Sequence, residues 1–250
     1  MTTGATFCGE QDTGETLENK SVLLFVKSPR KGAVKSRLAA TLGETAAQDI
    51  YKSFVLDILK TLISGRYPLR IFFYPPDARA EVTNWLGKSF VYMPQRGEDL
   101  GARMADAFVQ SFSEGLEKLI LIGSDVPDLT EAIIDEAFKS LQSNDAVIGP
   151  ASDGGYYLIG FNKGTFLPDI FTGLMWSTSS IFRQTMKVLQ ESGCSVHILP
   201  ECSDVDTVDD LRSFFIRNKD VDFRTSYTLS SLMRNKVAII RSEWNTESRS

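Results

Sequence analysis

Apolar and polar positions form two kinds of pattern that alternate along the chain. Short continuous apolar runs are typical of strands buried on both faces of a sheet, and they occupy residues 22–26, 69–74, 90–93, 118–122, 146–148, 156–161 and 196–199. Between most of these runs, apolar residues recur at the spacing of a helix that buries one face, as at residues 44–64, 99–112, 130–142 and 178–190. Strands that alternate with helices predict a single-domain, three-layer α/β/α sandwich.

Two acidic turns follow two of the predicted strands. Asp125 and Asp128 come after the strand at 118–122, and Asp153 comes after the next strand along the chain. If these strands are parallel and joined by a right-handed crossover through the helix at 130–142, both turns lie at the carboxyl edge of the sheet. Open α/β sheets bind their ligands at that edge.

One connection is too short for a parallel arrangement. Only seven residues separate Ile148 from Tyr156, whereas a parallel crossover needs about a dozen or more. At least one antiparallel pairing is therefore expected, and the sheet is predicted to be mixed and mostly parallel.

Length and composition indicate one ordinary domain with a sizeable core. The chain has 250 residues, of which 42% are hydrophobic and 24% charged. The pattern places the domain at residues 21–217. Residues 1–20 lack periodicity and are predicted to form a disordered tail. The pattern weakens again after residue 217, so residues 218–250 are predicted to be a peripheral extension.

Charge, hydropathy and cysteine content indicate which partners and which cellular compartment to expect. A net charge of -5 and a pI near 5.1 argue against nucleic acid or an anionic membrane as partner. No apolar run approaches the roughly 18 residues that span a bilayer, and the amino terminus lacks the basic and apolar segments of a signal peptide. A cytoplasmic protein is therefore expected, in which Cys8, Cys194 and Cys202 stay reduced.

A basic segment follows the first predicted strand. Five of the eleven residues from Lys27 to Arg37 are Lys or Arg, in a protein whose overall balance is acidic. Between a central strand and a helix, such side chains and the turn amides can bind a phosphate chain. A solvated basic loop is the alternative. The segment lacks the spacing of a Walker loop, which disfavours a standard nucleoside triphosphatase.

A second candidate loop joins the third predicted strand to the following helix. In a structural role, Asp99 caps that helix and Gly97 turns the chain. In a functional role, polar side chains of the same loop reach a ligand at the sheet edge, namely those of Gln95, Arg96 and Arg103.

The acidic residues after the two strands have different predicted roles. Asp125 stands where a carboxylate, together with phosphate oxygens, can hold Mg²⁺ or Mn²⁺ and so stabilise a departing diphosphate. Asp128 is predicted to cap the following helix. Asp153 precedes Gly154 and Gly155, whose lack of side chains lets a ligand approach the backbone. A tight Asp-Gly turn is the alternative for that position.

A further acidic cluster lies near the end of the domain. Thr207 and Asp210 have the spacing of a capping arrangement at a helix start. Asp204 and Asp206 take no part in this capping arrangement and could face the metal. His197 is the only histidine, and a structural or surface position is expected for it, so histidine-based nucleophilic schemes have little support.

Taken together, seven segments in order resemble a known bacterial family of nucleotide-diphospho-sugar transferases with the glycosyltransferase-A fold. The family is similar to the guanylyltransferases of molybdenum-cofactor and F420 synthesis, and some of its members are glycosyltransferases linked with arsenosugar synthesis. The segments lie within residues 25–30, 32–38, 94–104, 122–128, 149–158, 176–178 and 204–207.

The resemblance implies a role for each matched position. Phosphates are bound by Lys27, Arg30, Lys35 and Arg37. The nucleotide is held by the loop that contains Gln95, Arg96, Gly97 and Arg103. The cation is bound by Asp125 and by one residue of the pair Asp204 and Asp206. Apart from the resemblance, we predict that the sugar or acceptor side is formed by Asp153, Gly154, Gly155, Tyr156 and Trp176. A plain core role for the aromatic residues is at least equally compatible with the pattern.

The predicted activity is transfer of a glycosyl group from a nucleotide-sugar to a small acceptor, with Mg²⁺ or Mn²⁺ as cofactor and Asp153 as candidate general base. Many glycosyltransferases of this fold carry Asp-x-Asp, whereas this chain has Ser124-Asp125-Val126. That single aspartate resembles the nucleotidyltransferase branch. The alternatives are therefore a nucleotidyltransferase that joins a nucleoside triphosphate to a phosphorylated metabolite, and a non-catalytic nucleotide-binding module.

Overall fold

The computed structural model describes residues 19–176, 178–222 and 224–235. Its strands are β1 (Lys20–Lys27), β2 (Leu69–Tyr74), β3 (Val91–Pro94), β4 (Lys118–Ile122), β5 (Ala146–Pro150), β6 (Tyr156–Asn162) and β7 (Val196–Ile198). The α-helices of these described residues are α1 (Ser36–Leu42), α2 (Glu44–Ser64), α3 (Arg79–Leu86), α4 (Leu100–Ser113), α5 (Glu131–Ser140), α6 (Ile181–Glu191), α7 (Val208–Arg217) and α8 (Tyr227–Arg234).

The strands form one mixed sheet in the order β3-β2-β1-β4-β6-β5-β7. Strand β6 pairs antiparallel with both β4 and β5, whereas the other pairings are parallel. Because β4 and β5 both run opposite to β6, they run parallel to each other, and the turns that follow them emerge at one edge of the sheet. The predictions of a mixed α/β sheet and of a shared edge for the two acidic turns are confirmed.

Strand β1 illustrates why the sheet is covered on both faces. Side chains alternate across a strand, so Val22, Leu24 and Val26 pack into one core cluster while Leu23 and Phe25 pack into another. The first cluster lies under α2, α3 and α5, and the second lies under α4 and α6. The continuous apolar run in the sequence reflects this double burial.

After residue 217, the part of the chain that the structure describes packs against the domain through α8. Helix α8 places Leu229 and Leu232 in a third core cluster with residues of α1, α2 and α7. The carboxylate of Asp57 accepts hydrogen bonds from the backbone N–H groups of Tyr227 and Thr228, at 2.7 and 2.8 Å, and so holds the start of α8. The predicted tail at 1–20 lies almost wholly outside the described residues, as does Cys8, and β1 already begins at Lys20.

Within the described ranges, no helix has both the length and the apolar character that crossing a membrane requires. Cys194 and Cys202 are both free thiols.

Candidate functional site

A cleft of about 870 Å³ opens at the carboxyl edge of the sheet. Loops that follow β1, β3, β4, β5 and β7 contribute to its walls. Twelve of the sixteen residues that the sequence indicates as candidates line this cleft: Lys27, Lys35, Arg37, Gln95, Arg103, Asp125, Asp153, Gly155, Tyr156, Trp176, Asp204 and Asp206. The other four, Arg30, Arg96, Gly97 and Gly154, lie outside its lining.

Lys35 joins the basic and the acidic sides of the cleft. Its Nζ lies 2.5 Å from Oδ1 of Asp125, 2.7 Å from Oδ1 of Asp206 and 2.7 Å from the carbonyl oxygen of Val205. The side chain of Lys35 is only 3% exposed, whereas those of Asp125 and Asp206 are 52% and 39% exposed. Burial alone would lower the pKa of this lysine, but the two carboxylates raise it, so the ammonium group stays charged.

The backbone at Lys35 has an uncommon conformation. Its φ and ψ angles are 49° and 51°, in the left-handed region that residues other than glycine seldom adopt. Lys35 directly precedes α1, and its ammonium group lies 5.3 Å from the centroid of the Phe54 ring. The fold thus directs this one cation of the basic segment inward.

Tyr51 fixes the end of β1 beside the end of β4. Its hydroxyl oxygen accepts a hydrogen bond from the backbone N–H of Lys27 at 2.7 Å, and it lies 3.2 Å from the carbonyl oxygen of Lys27 and 3.3 Å from Oγ of Ser124. Burial raises the pKa of Tyr51, so the hydroxyl remains protonated. Sequence periodicity placed Tyr51 only on the apolar stripe of α2, and nothing local signals its polar role.

Asp204, on the acidic wall of the cleft, is surrounded by other carboxylates. Burial, together with repulsion from Asp153, Asp206 and Asp210, raises the pKa of Asp204 to about 6. Oγ of Ser152 lies 3.4 Å from Oδ1 of Asp204. A cation bound in this region would relieve the repulsion among these carboxylates.

The oxygen atoms at this wall suit a hard cation that also binds phosphate. Two carboxylates, those of Asp125 and Asp206, converge on one point with the carbonyl oxygen of Val205. Among the residues that the structure describes, no three Asp, Glu, His or Cys side chains form a ready-made metal cage. Mg²⁺ commonly takes one or two carboxylates and completes its shell with water and substrate phosphates, and the residues present fit that mode.

The Asp153 turn is held by its own hydrogen bond. Oδ1 of Asp153 accepts from the backbone N–H of Gly155 at 2.7 Å, while the carboxylate still lines the cleft. Gly154 has a φ of +90°, and a Cβ added there would lie 2.0 Å from the carbonyl oxygen of Ser179. Gly154 is thus required for packing against Ser179, and only Gly155 of the glycine pair faces the cleft.

Arg30 is engaged outside the cleft. Its guanidinium donates to Glu81, with NH2 2.7 Å from Oε1 and Nε 2.9 Å from Oε2, and it also lies near Asp77. The hydrogen bonds from Arg30, and a further one from Ser28, lower the pKa of Glu81. In this arrangement Arg30 joins the basic segment to α3.

The loop after β3 combines structural and cleft-facing residues. Asp99 caps α4 by accepting from the backbone N–H of Ala102 at 2.8 Å, which confirms its predicted capping role. A Cβ added at Gly97, where φ is +140°, would lie 2.7 Å from the backbone of Ala102, so glycine is needed for the turn. Gln95 is buried, and its Nε2 donates to the carbonyl oxygen of Phe72 at 2.8 Å.

The aromatic residues that line the cleft include Tyr74, Tyr156 and Trp176. The Arg103 guanidinium lies 4.4 Å from the centroid of Tyr74, as in a cation–π contact. A Cβ added at Gly101 would lie 2.5 Å from the Trp176 ring, so the indole packs closely on the first turn of α4.

The predicted capping role of Asp128 is wrong. Helix α5 begins after Thr130 with no side-chain capping bond. The Asp128 carboxylate instead accepts from Nε of Arg217 at 2.5 Å and from Nδ2 of Asn218 at 3.0 Å. It therefore ties the loop after β4 to the end of α7. The capping box of Thr207 and Asp210 at the start of α7 is confirmed.

Comparison with solved structures identifies the class of this fold. A protein from Desulfovibrio desulfuricans G20, provisionally described as a nucleotide-diphospho-sugar transferase, is 39% identical over 89% of this chain and 97% of its own, with a TM-score of 0.85. The fold is thus that of the nucleotide-diphospho-sugar transferases. The model described as "Uncharacterized protein conserved in bacteria (DUF2064)" matches residues 58–178. The chain belongs to this bacterial family of proteins with a nucleotide-diphospho-sugar transferase fold.

More distant structures share the fold alone. A cytidylyltransferase from Leptospira borgpetersenii is 12% identical over 89% of this chain and 96% of its own, with a TM-score of 0.53. The 4-diphosphocytidyl-2C-methyl-D-erythritol synthase of Anaerococcus prevotii is 10% identical over 80% and 99%, also with a TM-score of 0.53. No curated protein sequence matches the chain.

Proposed function

We propose that this protein is a divalent-cation-dependent transferase that binds a nucleotide-sugar and transfers its glycosyl group to a small acceptor. The observation that carries the proposal is the convergence of cationic and acidic side chains in one cleft. Lys27, Lys35 and Arg37 line it together with Asp125 and Asp206. Cations bind phosphate oxygens, and carboxylates bind the metal that bridges them. The description of the Desulfovibrio relative supports the same class.

The nucleotide half of the cleft is formed by the loops after β1 and β3 and by the first turn of α4. In this proposal Lys27, Lys35 and Arg37 contact the diphosphate, and Arg103 helps to hold the nucleotide. Mg²⁺ or Mn²⁺, held by Asp125 and Asp206, would stabilise the negative charge of the leaving nucleoside diphosphate.

The acceptor half is formed by Asp153, Gly155, Tyr156 and Trp176. Transfer breaks the bond between the anomeric carbon and the diphosphate oxygen and forms a bond from that carbon to the acceptor. The acceptor proton passes to a base, for which Asp153 is our candidate because its second carboxylate oxygen is free of the turn hydrogen bond made by Oδ1.

Nucleotidyl transfer is the second candidate. It is favoured by the single aspartate in Ser124-Asp125-Val126 and is compatible with the fold shared with cytidylyltransferases. That reaction would join a nucleoside monophosphate unit to a phosphorylated metabolite and release pyrophosphate. A non-catalytic nucleotide-binding module is a less favoured third hypothesis, since the cleft contains both basic side chains and carboxylates.

Product analysis separates these candidates. The protein is incubated with Mn²⁺, a panel of nucleotide-sugars or nucleoside triphosphates, and pooled small metabolites, and the products are identified by mass spectrometry. Glycosyl transfer predicts a free nucleoside diphosphate together with a glycosylated metabolite. Release of pyrophosphate with a nucleotide-linked metabolite would replace the first candidate by the second. Nucleotide binding without any turnover, unchanged in Asp125→Ala, would leave only the binding module.

A further inference from the structure

We propose that Lys35 occupies the cation position of the free protein, so that a divalent cation enters only together with a nucleotide whose phosphates receive the displaced ammonium group. This inference rests on the proposed function, because it concerns the order in which the same site is filled. It assigns Lys35 two positions, one between the carboxylates in the free protein and one on the phosphates in the complex.

Lys35 and a divalent cation would occupy the same position between the two carboxylates. The Lys35 ammonium lies 2.5 and 2.7 Å from the nearest carboxylate oxygens of Asp125 and Asp206. Metal–oxygen distances for Mg²⁺ are about 2.0–2.1 Å, so an ion bound by both carboxylates would coincide with Nζ. Two positive groups at that separation would also repel each other. Lys35 and the divalent cation therefore exclude each other.

Lys35 is held between the carboxylates by several contacts at once. It makes three polar contacts at once, with two carboxylates and the carbonyl oxygen of Val205. Its side chain is 3% exposed, and its ammonium group lies 5.3 Å from the centroid of the Phe54 ring. The left-handed backbone conformation at φ 49° points this side chain inward, unlike the exposed Lys27. A surface lysine that met a carboxylate by chance would show none of these features.

A bound diphosphate can receive the ammonium group of Lys35 once the cation has displaced it. Lysine carries its charge on a flexible stem of four carbons, and Lys27 and Arg37 line the same cleft. A diphosphate bound among these cations offers acceptors for the released ammonium group, whereas water alone offers no compensating charge. The nucleotide and the metal should therefore bind with positive coupling, since each helps to displace or receive Lys35.

The test is a titration of Mn²⁺, followed by its electron paramagnetic resonance signal, with and without a nucleoside diphosphate. Without nucleotide, Lys35→Met is expected to bind Mn²⁺ at least ten-fold more tightly than the wild type. The matched control Lys31→Met removes a positive charge from the same basic segment at an exposed position outside the cleft lining, and it should stay within about three-fold of the wild type. Asp125→Asn in the Lys35→Met background should remove the gain.

The outcomes distinguish this inference from the proposed function. Equal Mn²⁺ affinity of Lys35→Met and wild type, with nucleotide-dependent Mn²⁺ binding preserved, would overturn the inference and leave the transferase proposal standing. Failure of Mn²⁺ to bind any variant, with or without nucleotide, would overturn both.

A measurement on the wild type covers the case in which Lys35→Met does not fold. Reductive methylation of lysines, followed by mass spectrometry, should find Lys35 protected in the free protein. Mn²⁺ without nucleotide should leave this protection unchanged, because the cation enters only together with a nucleotide. Methylation of Lys35 in the free protein at the rate of the exposed Lys31, or loss of its protection with Mn²⁺ alone, would refute the proposal.

Discussion

Tyr51→Phe should weaken both the fold and nucleotide binding, because one hydroxyl group holds the ends of two strands. The pairing of β1 with β4 ends at Leu24 and Ile122. Beyond it, the Tyr51 hydroxyl accepts from the Lys27 N–H at 2.7 Å and lies 3.3 Å from Oγ of Ser124. It therefore takes the place of a missing strand contact next to Lys27 and Asp125.

The magnitude follows from the burial of these groups. The hydroxyl is buried, and removing it leaves the Lys27 N–H without its acceptor. A buried polar group left unsatisfied costs about 1–3 kcal/mol, which is the expected loss in the free energy of unfolding. For a chain of this size, roughly 2–4 °C in Tm is expected for each kcal/mol.

Urea unfolding and isothermal titration with a nucleoside diphosphate measure the two effects separately. Tyr67→Phe is the matched control, because the Tyr67 hydroxyl donates to Asp135 at 2.6 Å on α5, and Tyr67 does not line the cleft. It should lose some stability and keep its nucleotide affinity. A stability loss below about 0.5 kcal/mol in Tyr51→Phe, or equal nucleotide affinity in the two variants, would refute the anchoring role.

Two further predictions concern contacts that border the cleft. In urea unfolding, Gly154→Ala should destabilise the protein by more than about 1 kcal/mol, because a positive φ and the Ser179 carbonyl both oppose a Cβ. Gly164→Ala is the control and should be nearly neutral, because a Cβ there meets nothing within 4 Å. Equal effects of the two substitutions would contradict the packing argument. Arg217→Ala should cost roughly 1 kcal/mol in urea unfolding by breaking the partly exposed contact with Asp128, and an unchanged midpoint would show that this contact adds nothing.

The long periodic elements could be predicted from the sequence, because their signal is local. Helix α2 at 44–64 and strand β4 at 118–122 have the bounds that the pattern predicts. Helix α8 is only eight residues long, and its local signals are a cap at Ser226, which accepts from the backbone N–H of Leu229, and the apolar residues Leu229 and Leu232. Its start is also held by Asp57, more than 160 positions earlier in the chain, and no local pattern reveals that tertiary contact.

The residues of the candidate site could be predicted more readily than the contacts that those residues make. The sequence indicated Lys35 for phosphate and Asp206 for metal, but not that they contact each other across 171 positions. Asp128 has the local spacing of a helix cap, yet it binds Arg217, which the fold brings close. Arg30 shares the composition of the basic segment but turns toward Glu81. Residue type and spacing identify the chemistry available, and only the fold decides which groups meet.

The most direct test of the central claim is the affinity of a nucleoside diphosphate with and without Mn²⁺, measured by isothermal titration. In the wild type, Mn²⁺ should strengthen binding at least ten-fold, and Asp125→Asn should lose that gain. Asp209→Asn is the matched control, because the Asp209 side chain is 89% exposed and does not line the cleft, and it should behave as the wild type. The absence of nucleotide binding, or a Mn²⁺ effect that survives in Asp125→Asn, would contradict the account.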